Sequence, residues 1–339
     1  MKAIRMIFYP ILLLVSLVFR VIVNIRNNRF DRGKIRIYKT HKPVISIGNL
    51  SVGGSGKTPL TILICKMIMD MGYKPAVAGR GYKKPESNTE QYSVYKNWRE
   101  FGDELYLIHN KLNIPVFADR LKYKACLEAD KSDSDIIIID DGYQHRYIHR
   151  DLNCLIIDEK TLEQSSLIPA GILREPLNEI KRADIVFIYS GIETGKIDNL
   201  INNKAIVEIR RKSGEIYHLT NKPIVFNPDK KAVALSGIAN PERFTSNLKD
   251  KKINIESLIV FPDHHNYDRS DVDKIIQTTK AYSIDTIITT EKDAVKLSEF
   301  ADILEANRID CFVLPIEIEI TKGRELLQNQ IYNILKNRG

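Results

Sequence analysis

Cysteine is scarce in this sequence of 339 residues, and its spacing suits neither a metal nor a disulfide. Cys65, Cys126, Cys154 and Cys311 form no C-x-x-C pair and no metal-ligand spacing. Their pattern excludes a zinc site and a disulfide framework and fits a reducing compartment. Internal repeats and low-complexity stretches are also absent, and a hydrophobic content of 43% is too high for general disorder. The length suggests about two globular domains.

Basic residues are concentrated at the start of the chain. The formal net charge is +8, yet residues 1–42 carry ten lysines and arginines against the single acid Asp31. The remainder carries 41 basic and 42 acidic residues. A near-neutral body argues against nucleic acid as a partner, and a short basic segment indicates a local anionic surface.

The basic N-terminal segment is also apolar. No charge occurs from Met6 to Phe19, and apolar character resumes over 21–23 after Arg20. This run is short for a spanning helix, which needs about 20 apolar residues. A signal peptide, a buried core helix and a membrane-bound helix are the alternatives. Because basic residues rather than a small-residue cleavage site follow, we favour a membrane-bound helix that either spans the bilayer or lies in its interface.

From Pro43 onward, apolar strands alternate with amphipathic helices, which predicts an α/β fold with a parallel sheet. Continuous apolar runs suit strands that are buried on both faces. An alternating pattern over 206–219, about a turn at 212–214, predicts a β-hairpin, and a last helix is predicted near Glu325–Leu335. The predicted strands are Val44–Ile47, Ala76–Ala78, Val116–Ala118, Ile136–Ile139, Cys154–Ile157, Ile185–Tyr189, Ala232–Leu235, Ser257–Phe261, Thr286–Thr289 and Phe312–Pro315.

A phosphate-binding sequence follows the first predicted strand. It consists of Ser51, Val52, Gly53, Gly54, Ser55, Gly56, Lys57 and Thr58. Its glycines let backbone N–H groups surround phosphate oxygens, while Lys57 reaches the β- and γ-phosphates and the Thr58 hydroxyl can ligate Mg²⁺. Ser51 stands where the common P-loop pattern has glycine, so the match is incomplete. The position between a buried strand and a helix nevertheless predicts nucleotide binding rather than an ordinary turn.

Two acids follow the strand predicted over Ile136–Ile139. Asp140 and Asp141 have the arrangement of a Walker B motif, whose carboxylate holds the metal or its water. A solvated strand end is the alternative interpretation. The next residues, 142–146, combine a turn with polar and cationic side chains, although His145 by itself is more often a structural histidine.

These signals together predict a P-loop NTPase-like α/β/α domain with a parallel sheet and a second, smaller α/β/α domain joined by a β-hairpin linker. The predicted boundaries are 1–30 for the membrane-associated helix, 31–204 for the P-loop domain, 205–221 for the linker and 222–339 for the C-terminal domain. A GTPase is the first rival, but no guanine-reading N-K-x-D element occurs in the expected region. A non-catalytic membrane scaffold is the second, and Lys57, Thr58 and the candidate acids argue against it.

The motifs resemble those of the tetraacyldisaccharide 4'-kinases, the lipid A 4'-kinases of the Gram-negative outer-membrane pathway. The family has its own phosphate loop with serine or threonine in place of the first glycine, as in GNLSVGGSGKTP here. Leu105 departs from the family pattern, in which a proline is expected after GDE. The other motifs follow in family order over essentially the whole chain: SIGN at 46–49, GRGY at Gly79–Tyr82, GDE at Gly102–Glu104, DDGYQH at Asp140–His145, PAGILREP at Pro169–Pro176, ALSGIANPERF at Ala234–Phe244, FPDHHNY at Phe261–Tyr267 and TEKDAVKL at Thr290–Leu297.

The resemblance implies an activity and a location. Members of this family transfer the γ-phosphoryl group of ATP, with Mg²⁺, to the 4'-hydroxyl of an acylated glucosamine disaccharide 1-phosphate and so form lipid IVA. The substrate lies in the inner leaflet, so we expect the enzyme at the cytoplasmic face of the inner membrane, in contact with anionic lipid.

The resemblance also implies roles for individual residues. Asp103 resembles the base that accepts the hydroxyl proton, and His264, paired with Asp263, resembles its partner. A surface acid and a structural histidine are the alternatives for these residues. Metal-binding acids of the family correspond to Asp140, Asp141 and Glu175, beside the Thr58 hydroxyl. Arg174 is placed to offset phosphate charge, although an arginine next to a glutamate is also often an ion pair.

Overall fold

The computed structural model describes residues 2–81, 98–164 and 166–336, with side chains described from residue 9 onward except at 101. Tyr82 of the GRGY motif therefore lies outside the described residues. The described chain divides into two compact units. The first contains 2–81, 100–164, 166–210 and 318–336, and the second contains 98–99 and 211–317.

Thirteen strands form two sheets within the described ranges. Their bounds are β1 (Val44–Asn49), β2 (Pro75–Arg80), β3 (Val116–Asp119), β4 (Ile136–Ile139), β5 (Leu152–Ile157), β6 (Ile185–Tyr189), β7 (Ala205–Ser213), β8 (Tyr217–His218), β9 (Ala232–Ser236), β10 (Ile255–Val260), β11 (Thr286–Thr290), β12 (Asp310–Leu314) and β13 (Ile316–Lys322). All ten strands predicted from apolar runs are confirmed, with small shifts of their ends.

Twelve α-helices are described along the same ranges. Their bounds are α1 (Lys2–Asp31), α2 (Lys57–Asp70), α3 (Trp98–Phe101), α4 (Asp103–Leu112), α5 (Lys122–Ala129), α6 (Glu159–Glu163), α7 (Asp198–Ile201), α8 (Pro241–Asp250), α9 (Arg269–Ala281), α10 (Glu291–Leu297), α11 (Ala301–Ala306) and α12 (Arg324–Lys336). Short 3-10 helices cover Leu177–Arg182 and Ser298–Phe300.

The first unit is built on an eight-stranded sheet in the order β13-β7-β6-β5-β1-β4-β2-β3. All pairings from β3 to β7 are parallel. The four isoleucines of β4 are fully buried, because helices cover both faces of a parallel sheet and β-branched side chains fill that space. Since β4 pairs directly with β1, the residues that follow these two strands meet at one edge of the sheet.

The second unit is built on a five-stranded sheet in the order β10-β9-β11-β12-β8. Its pairings are parallel except for the antiparallel contact of β8 with β12. Apolar clusters cover both faces of this sheet, with Ile287 in one and Ile288 in the other. The predicted fold class, two layered α/β units with largely parallel sheets, is confirmed.

The segment predicted as a β-hairpin is arranged differently. β7 pairs in parallel with β6, whereas β8 pairs with β12 in the other sheet. The alternating pattern of β7 instead reflects a strand that buries Val207 and Ile209 on one face and leaves the other face largely accessible. The prediction of a hairpin linker over 205–221 is therefore wrong.

The C-terminal helix also differs from the predicted boundaries. Leu327, Ile331 and Leu335 of α12 pack in the same apolar cluster as Ile45 and Ile47 of β1. Residues 318–336 consequently belong to the first unit rather than to a C-terminal domain over 222–339. An amphipathic helix shows which of its faces is apolar but not which sheet that face will cover.

Helix α1 has one face on the first unit and one face exposed. Ser16, Val23, Asn27 and Phe30 are buried, and Pro10 lies near its start. The stretch Tyr9–Asp31 has a mean hydropathy of 1.8 and is long and apolar enough to cross a membrane by length and composition. Its exposed apolar residues, which we call the outer face of α1, are Ile11, Leu14, Val15, Leu17, Val18, Val21, Ile22 and Ile25.

Candidate active site

The phosphate loop, Ser51–Thr58, leaves the carboxyl end of β1 and leads into α2. Gly56 caps α2 in the left-handed region with φ of 96°. A Cβ at this position would lie 2.3 Å from the Tyr189 hydroxyl, which donates a hydrogen bond of 2.8 Å to the Ser55 carbonyl. Glycine is therefore required at 56 both for its conformation and for the close approach of Tyr189.

Ser51, the departure from the common P-loop pattern, has a structural explanation. Its hydroxyl is buried, accepts a hydrogen bond of 3.1 Å from the Asn49 amide and lies 3.0 Å from the Thr161 hydroxyl. Glycine could make neither contact. The serine thus fixes the start of the phosphate loop against β1 and α6.

Lys57 points toward the strand-end acids. Its Nζ lies 3.5 Å from Asp141 Oδ1 and 3.4 Å from Asn49 Oδ1. The side chain is about 10% exposed, and its ammonium group is held at the phosphate loop by two oxygen acceptors. This is the position from which a P-loop lysine reaches the phosphates of a nucleotide.

Asp140 is buried beside the two threonines of α2's first turns. Thr61 donates a hydrogen bond of 2.9 Å to its carboxylate, and the Thr58 hydroxyl lies 3.4 Å from Oδ2. Burial, together with the nearby charges of Glu104 and Asp141, raises the pKa of Asp140 to about 6. Concentrated negative charge of this kind favours a cation at the site.

Asp141 lies in the opposite electrostatic environment. Burial disfavours its charge, but the cations Lys57, Lys122 and Arg174 outweigh burial and lower its pKa to about 2. Arg174 Nη1 donates to both carboxylate oxygens, at 2.9 and 3.0 Å. The Asp141 backbone has φ of 50°, in the left-handed region.

Lys122 is a site residue that the sequence analysis missed. Its Nζ donates to the Asp140 carbonyl at 2.9 Å and to the Asp141 carbonyl, and lies 3.8 Å from Asp141 Oδ2. Burial lowers its pKa. Its position shortly after β3, at the carboxyl edge of the parallel sheet where ligands bind, is the signal that could have identified it.

Asp103 occupies the first turn of α4 and is buried. Its Oδ1 accepts a hydrogen bond of 3.0 Å from the Glu104 backbone N–H. Glu104 interacts electrostatically with both Asp140 and Lys122, so the start of α4 adjoins the strand-end acids. Leu105, found where the resemblance suggests proline, continues the helix and packs against Gly79 of β2.

Glu175 does not fit the metal-binding role that the resemblance suggested. Its carboxylate is fully buried and accepts hydrogen bonds from Arg26 at 2.8 Å and from Asn27 at 3.0 Å, both in α1. Arg182 contacts its other oxygen. Because arginine and amide donors occupy both oxygens, we remove Glu175 from the candidate metal ligands.

The histidines of the FPDHHNY motif lie in the second unit. The His264 backbone has a left-handed φ of 57°, and its N–H donates a hydrogen bond of 3.2 Å to the Gly237 carbonyl. The side chains of His264 and Asp263 are exposed. His265, which was not predicted as a site residue, has its Nε2 2.8 Å from Asp271 Oδ2. His265 thus makes an imidazole–carboxylate contact in this loop.

Asp293 links three motifs of the second unit. Its buried carboxylate accepts hydrogen bonds from the Gly237 N–H at 3.0 Å, the Tyr267 hydroxyl at 2.9 Å and the Thr290 hydroxyl at 2.7 Å. A Cβ on Gly237 would lie 2.8 Å from Asp293 Oδ1. Asp293 therefore fixes the loop after β9 and the loop that carries His264 relative to each other.

The donor set fits a hard divalent cation. No group of three or more His, Cys, Asp or Glu side chains that could hold a metal occurs among the described residues. Mg²⁺ needs fewer, because it usually keeps several waters and binds one or two carboxylates plus substrate phosphates. Thr58 Oγ1 and the Asp140 carboxylate supply such oxygens, while both oxygens of Asp141 already contact Arg174.

Comparison with known proteins gives a consistent result over nearly the full chain. The family model described as tetraacyldisaccharide-1-P 4'-kinase matches residues 8–336. A tetraacyldisaccharide 4'-kinase from Aquifex aeolicus is 34% identical over 328 residues, covering 94% of this chain and 96% of its own. One from Psychromonas ingrahamii is 34% identical over 96% of this chain and 95% of its own.

A solved structure agrees with this result. The crystal structure of LpxK from Aquifex aeolicus in complex with ATP superposes with a TM-score of 0.75 at 30% sequence identity, covering 98% of this chain and 99% of that one. The similarity therefore extends through both units and includes the N-terminal segment.

Proposed function

Because the chain belongs to the tetraacyldisaccharide 4'-kinase family, we propose that it transfers the γ-phosphoryl group of ATP to the 4'-hydroxyl of a tetraacyldisaccharide 1-phosphate, a step of lipid A biosynthesis that yields lipid IVA. One observation carries this proposal: the phosphate loop and the acids after β4 lie at one edge of a parallel sheet, with Lys57 3.5 Å from Asp141. That arrangement provides what phosphoryl transfer requires, a phosphate cradle beside a metal-binding carboxylate.

The first unit supplies the groups that bind and orient the nucleotide. The phosphate loop leads into the N-terminus of α2, where backbone N–H groups and the helix dipole favour phosphate oxygens. Lys57, Lys122 and Arg174 place three cations around the strand-end acids. A positive environment fixed before the reaction stabilises the charge that spreads over the transferred phosphoryl oxygens.

Thr58 and Asp140 would hold Mg²⁺, with Asp141 beside them. When bound, Mg²⁺ neutralises charge on the β- and γ-phosphate oxygens. The raised pKa of Asp140, caused first by burial and then by the nearby charges of Glu104 and Asp141, supports this assignment, since a cation would relieve this crowding of negative charge. Arg174 orients Asp141 and contributes its own charge toward the phosphates.

Asp103 is our candidate for the base that accepts the 4'-hydroxyl proton, and His264, with Asp263, is our candidate for its partner. The position of Asp103 supports this role, because it is buried at the start of α4, which adjoins the strand-end acids through Glu104. For His264, support comes from the Asp293 contacts that fix its loop.

We propose that the outer face of α1 contacts the cytoplasmic surface of the inner membrane. At 100° per residue its apolar side chains cover roughly 160° of the helix, opposite the buried residues Ser16, Val23 and Asn27. A helix with one face packed on the protein from Ser16 onward fits in the interface plane better than across the bilayer. The apolar stretch is followed by exposed basic residues that suit anionic headgroups, namely Arg29, Arg32, Lys34 and Arg36.

The decisive experiment supplies purified protein with ATP, Mg²⁺ and tetraacyldisaccharide 1-phosphate in detergent micelles. We expect the lipid mass to increase by one phosphate group, with ADP formed in equal amount. A 4'-deoxy acceptor is the matched control and should accept nothing. ATP hydrolysis without lipid phosphorylation, or transfer to the 4'-deoxy acceptor, would contradict the proposed function.

A further inference from the structure

Residues 166–176, which we call the bridging loop, contact both α1 and the phosphate loop. Toward the phosphate loop the contacts are backbone hydrogen bonds. The Val52 N–H donates a hydrogen bond of 2.8 Å to the Ile172 carbonyl, and the Arg174 N–H donates one of 2.7 Å to the Leu50 carbonyl. Ser51 and Leu173 form an antiparallel bridge between them. The start of the phosphate loop is thus paired with the bridging loop like two short strands.

Toward α1 the bridging loop makes polar side-chain contacts. The Ser16 hydroxyl donates a hydrogen bond of 2.9 Å to the Leu167 carbonyl and accepts one of 2.9 Å from the Ala170 N–H. Nearly three turns further along α1, Arg26 and Asn27 both donate hydrogen bonds to the Glu175 carboxylate. These contacts tie both halves of the helix to the same loop.

Arg174 and Glu175 are adjacent but serve opposite sides. The Arg174 guanidinium binds both oxygens of Asp141 in the active site, whereas the Glu175 carboxylate, fully buried, binds α1 and Arg182. The Gln144 side-chain amide lies between them. It donates a hydrogen bond of 2.7 Å to the Asn49 carbonyl and one of 3.4 Å to Glu175. Loss of a donor leaves a buried carboxylate poorly compensated and forces it to shift. Because Glu175 is the next residue after Arg174, donors from α1 that hold Glu175 also help to fix the backbone at Arg174.

We propose that Arg26 and Asn27 are positioning residues for phosphoryl transfer, which act through Glu175 to hold Arg174 at Asp141 and the bridging loop at the phosphate loop. Helix α1 is then part of the catalytic unit as well as its membrane contact, and a lipid surface that holds α1 in this position favours the active arrangement. The inference deepens the proposed function and rests on it for the lipid substrate and the bilayer.

A matched pair of arginines on α1 separates this role from membrane affinity. Arg26 contacts Glu175, whereas Arg29, one turn later, is exposed. Arg26→Gln and Arg29→Gln each remove one positive charge from the same end of the helix. Both should therefore weaken binding to vesicles of phosphatidylethanolamine and phosphatidylglycerol by a similar factor.

The two variants should differ in catalysis. With acceptor lipid in saturating vesicles, we expect kcat of Arg26→Gln to fall at least about tenfold below that of Arg29→Gln. Arg26→Lys should recover most of this loss, because the ammonium group can still donate to Glu175. Equal kcat values for the two glutamine variants at saturating vesicles would overturn the proposal.

A second variant guards against misfolding of Arg26→Gln. Asn27→Ala removes one neutral donor to Glu175 and no charge, so vesicle affinity should stay near wild type and a single cooperative thermal transition should show that the variant is folded, while kcat falls several-fold. Unchanged kcat in this variant would also count against the proposal. Nucleotide affinity, measured in parallel with a fluorescent ATP analogue, should weaken in Arg26→Gln relative to Arg29→Gln. That readout still decides the positioning role if the wild type phosphorylates no lipid, an outcome that would refute only the proposed function.

Discussion

At the scale of single residues, neighbouring carboxylates occupy contrasting environments. Asp140 is buried next to other acids and its pKa is raised to about 6, while Asp141 is surrounded by three cations and its pKa is lowered to about 2. The two side chains have different partners, since Thr61 donates to Asp140 and Arg174 donates to Asp141. These environments support our proposal that Asp140 is the metal ligand and that Asp141 holds Lys57, Lys122 and Arg174 in place.

Lys57 should be indispensable for turnover. Lys57→Ala removes the ammonium group that lies 3.5 Å from Asp141, and we expect kcat to fall by about 10³ or more, as for other fixed electrostatic contacts to the transition state. The control is Lys66→Ala, an exposed lysine on the same helix, measured by the same steady-state assay. Turnover of Lys57→Ala within a few-fold of this control would refute the P-loop assignment.

Asp103 should affect the chemical step more than nucleotide binding. Asp103→Asn keeps the shape of the side chain but removes its ability to accept a proton, so kcat should fall by roughly 10²–10⁴ with little change in KM for ATP. Steady-state kinetics over a range of ATP concentrations separates the two constants. A raised KM with unchanged kcat would identify Asp103 as a binding residue instead.

His145 should make stability depend on pH. Its Nε2 accepts a hydrogen bond of 2.9 Å from the Tyr123 N–H, and burial, followed by nearby Lys122, Arg150 and Arg26, lowers its pKa to about 4. The unfolded chain, with a pKa near 6.5, binds a proton first as the pH falls. This contribution to stability is therefore present above pH 6.5 and is lost progressively as the pH falls toward 4.

The His145 prediction is tested by urea unfolding at pH 7 and pH 5. His145→Gln retains an acceptor for the Tyr123 N–H but does not titrate. Between these two pH values the wild type should lose about 1 kcal/mol more stability than the variant, after allowance for the partly exposed ring. Identical pH dependence in both proteins would mean that His145 does not titrate in this range.

At the scale of helices and strands, apolar runs were sufficient to predict the buried sheets but not all partners of each element. The four isoleucines before Asp140 could only be a buried strand. The strand–loop–helix order after β1 placed Lys57 and Thr58 correctly at the edge of the sheet. The pattern over 206–213 described one accessible strand face and did not reveal its partner, so β7 was wrongly assigned to a hairpin. The roles of Lys122 and Glu175 could not be predicted in this way. Their contacts with Asp140 and Arg26 join residues 18 or more positions apart in the chain, which no local pattern encodes.

The Asp293 contacts should matter to the second unit as an assembly of loops. Asp293→Ala leaves the Gly237 N–H and the hydroxyls of Tyr267 and Thr290 without their buried acceptor, so we expect a loss of roughly 2–4 kcal/mol in stability. Turnover should fall as the loop of His264 loosens, while nucleotide affinity, which depends on the phosphate loop in the first unit, should remain.

Conservative variants distinguish this role from general damage. Asp293→Asn can still accept from Gly237 and donate to the Tyr267 oxygen, and Tyr267→Phe removes a single hydrogen bond. Both should retain more turnover than Asp293→Ala, in thermal-unfolding and kinetic measurements made side by side. Full activity of Asp293→Ala would show that the His264 loop needs no such support.

At the scale of the whole molecule, charge and exposed apolar surface coincide. Ten of the 51 basic residues lie in the first 42 positions, and the outer face of α1 is the longest run of exposed large apolar side chains on one described helix. The sequence could predict this combination because it is local. Whether α1 spans or lies flat could not be predicted, since that depends on Ser16, Arg26 and Asn27 contacting residues more than 140 positions away.

The outer face of α1 should determine membrane affinity. Leu14 is 65% exposed, so Leu14→Glu leaves the packed face of the helix intact while replacing an apolar contact with a charge. Burying a leucine is worth about 2 kcal/mol, so the loss should be about 30-fold or more in the partition coefficient onto anionic vesicles. The matched control, Leu326→Glu on α12, makes the same change at another exposed position of the first unit.

Salt separates the apolar and electrostatic parts of this affinity. Each arginine or lysine near anionic headgroups adds roughly 1 kcal/mol that screening removes, whereas the contribution of Leu14 does not depend on salt. In co-sedimentation with vesicles, wild-type binding should therefore weaken at high salt. Most of the difference between wild type and Leu14→Glu should persist, because salt screens only the repulsion between the new carboxylate and the headgroups. The salt-dependent part should come from the cluster of basic residues at the end of α1 and just after it. Equal vesicle binding by Leu14→Glu and Leu326→Glu would mean that the protein reaches the membrane through another surface.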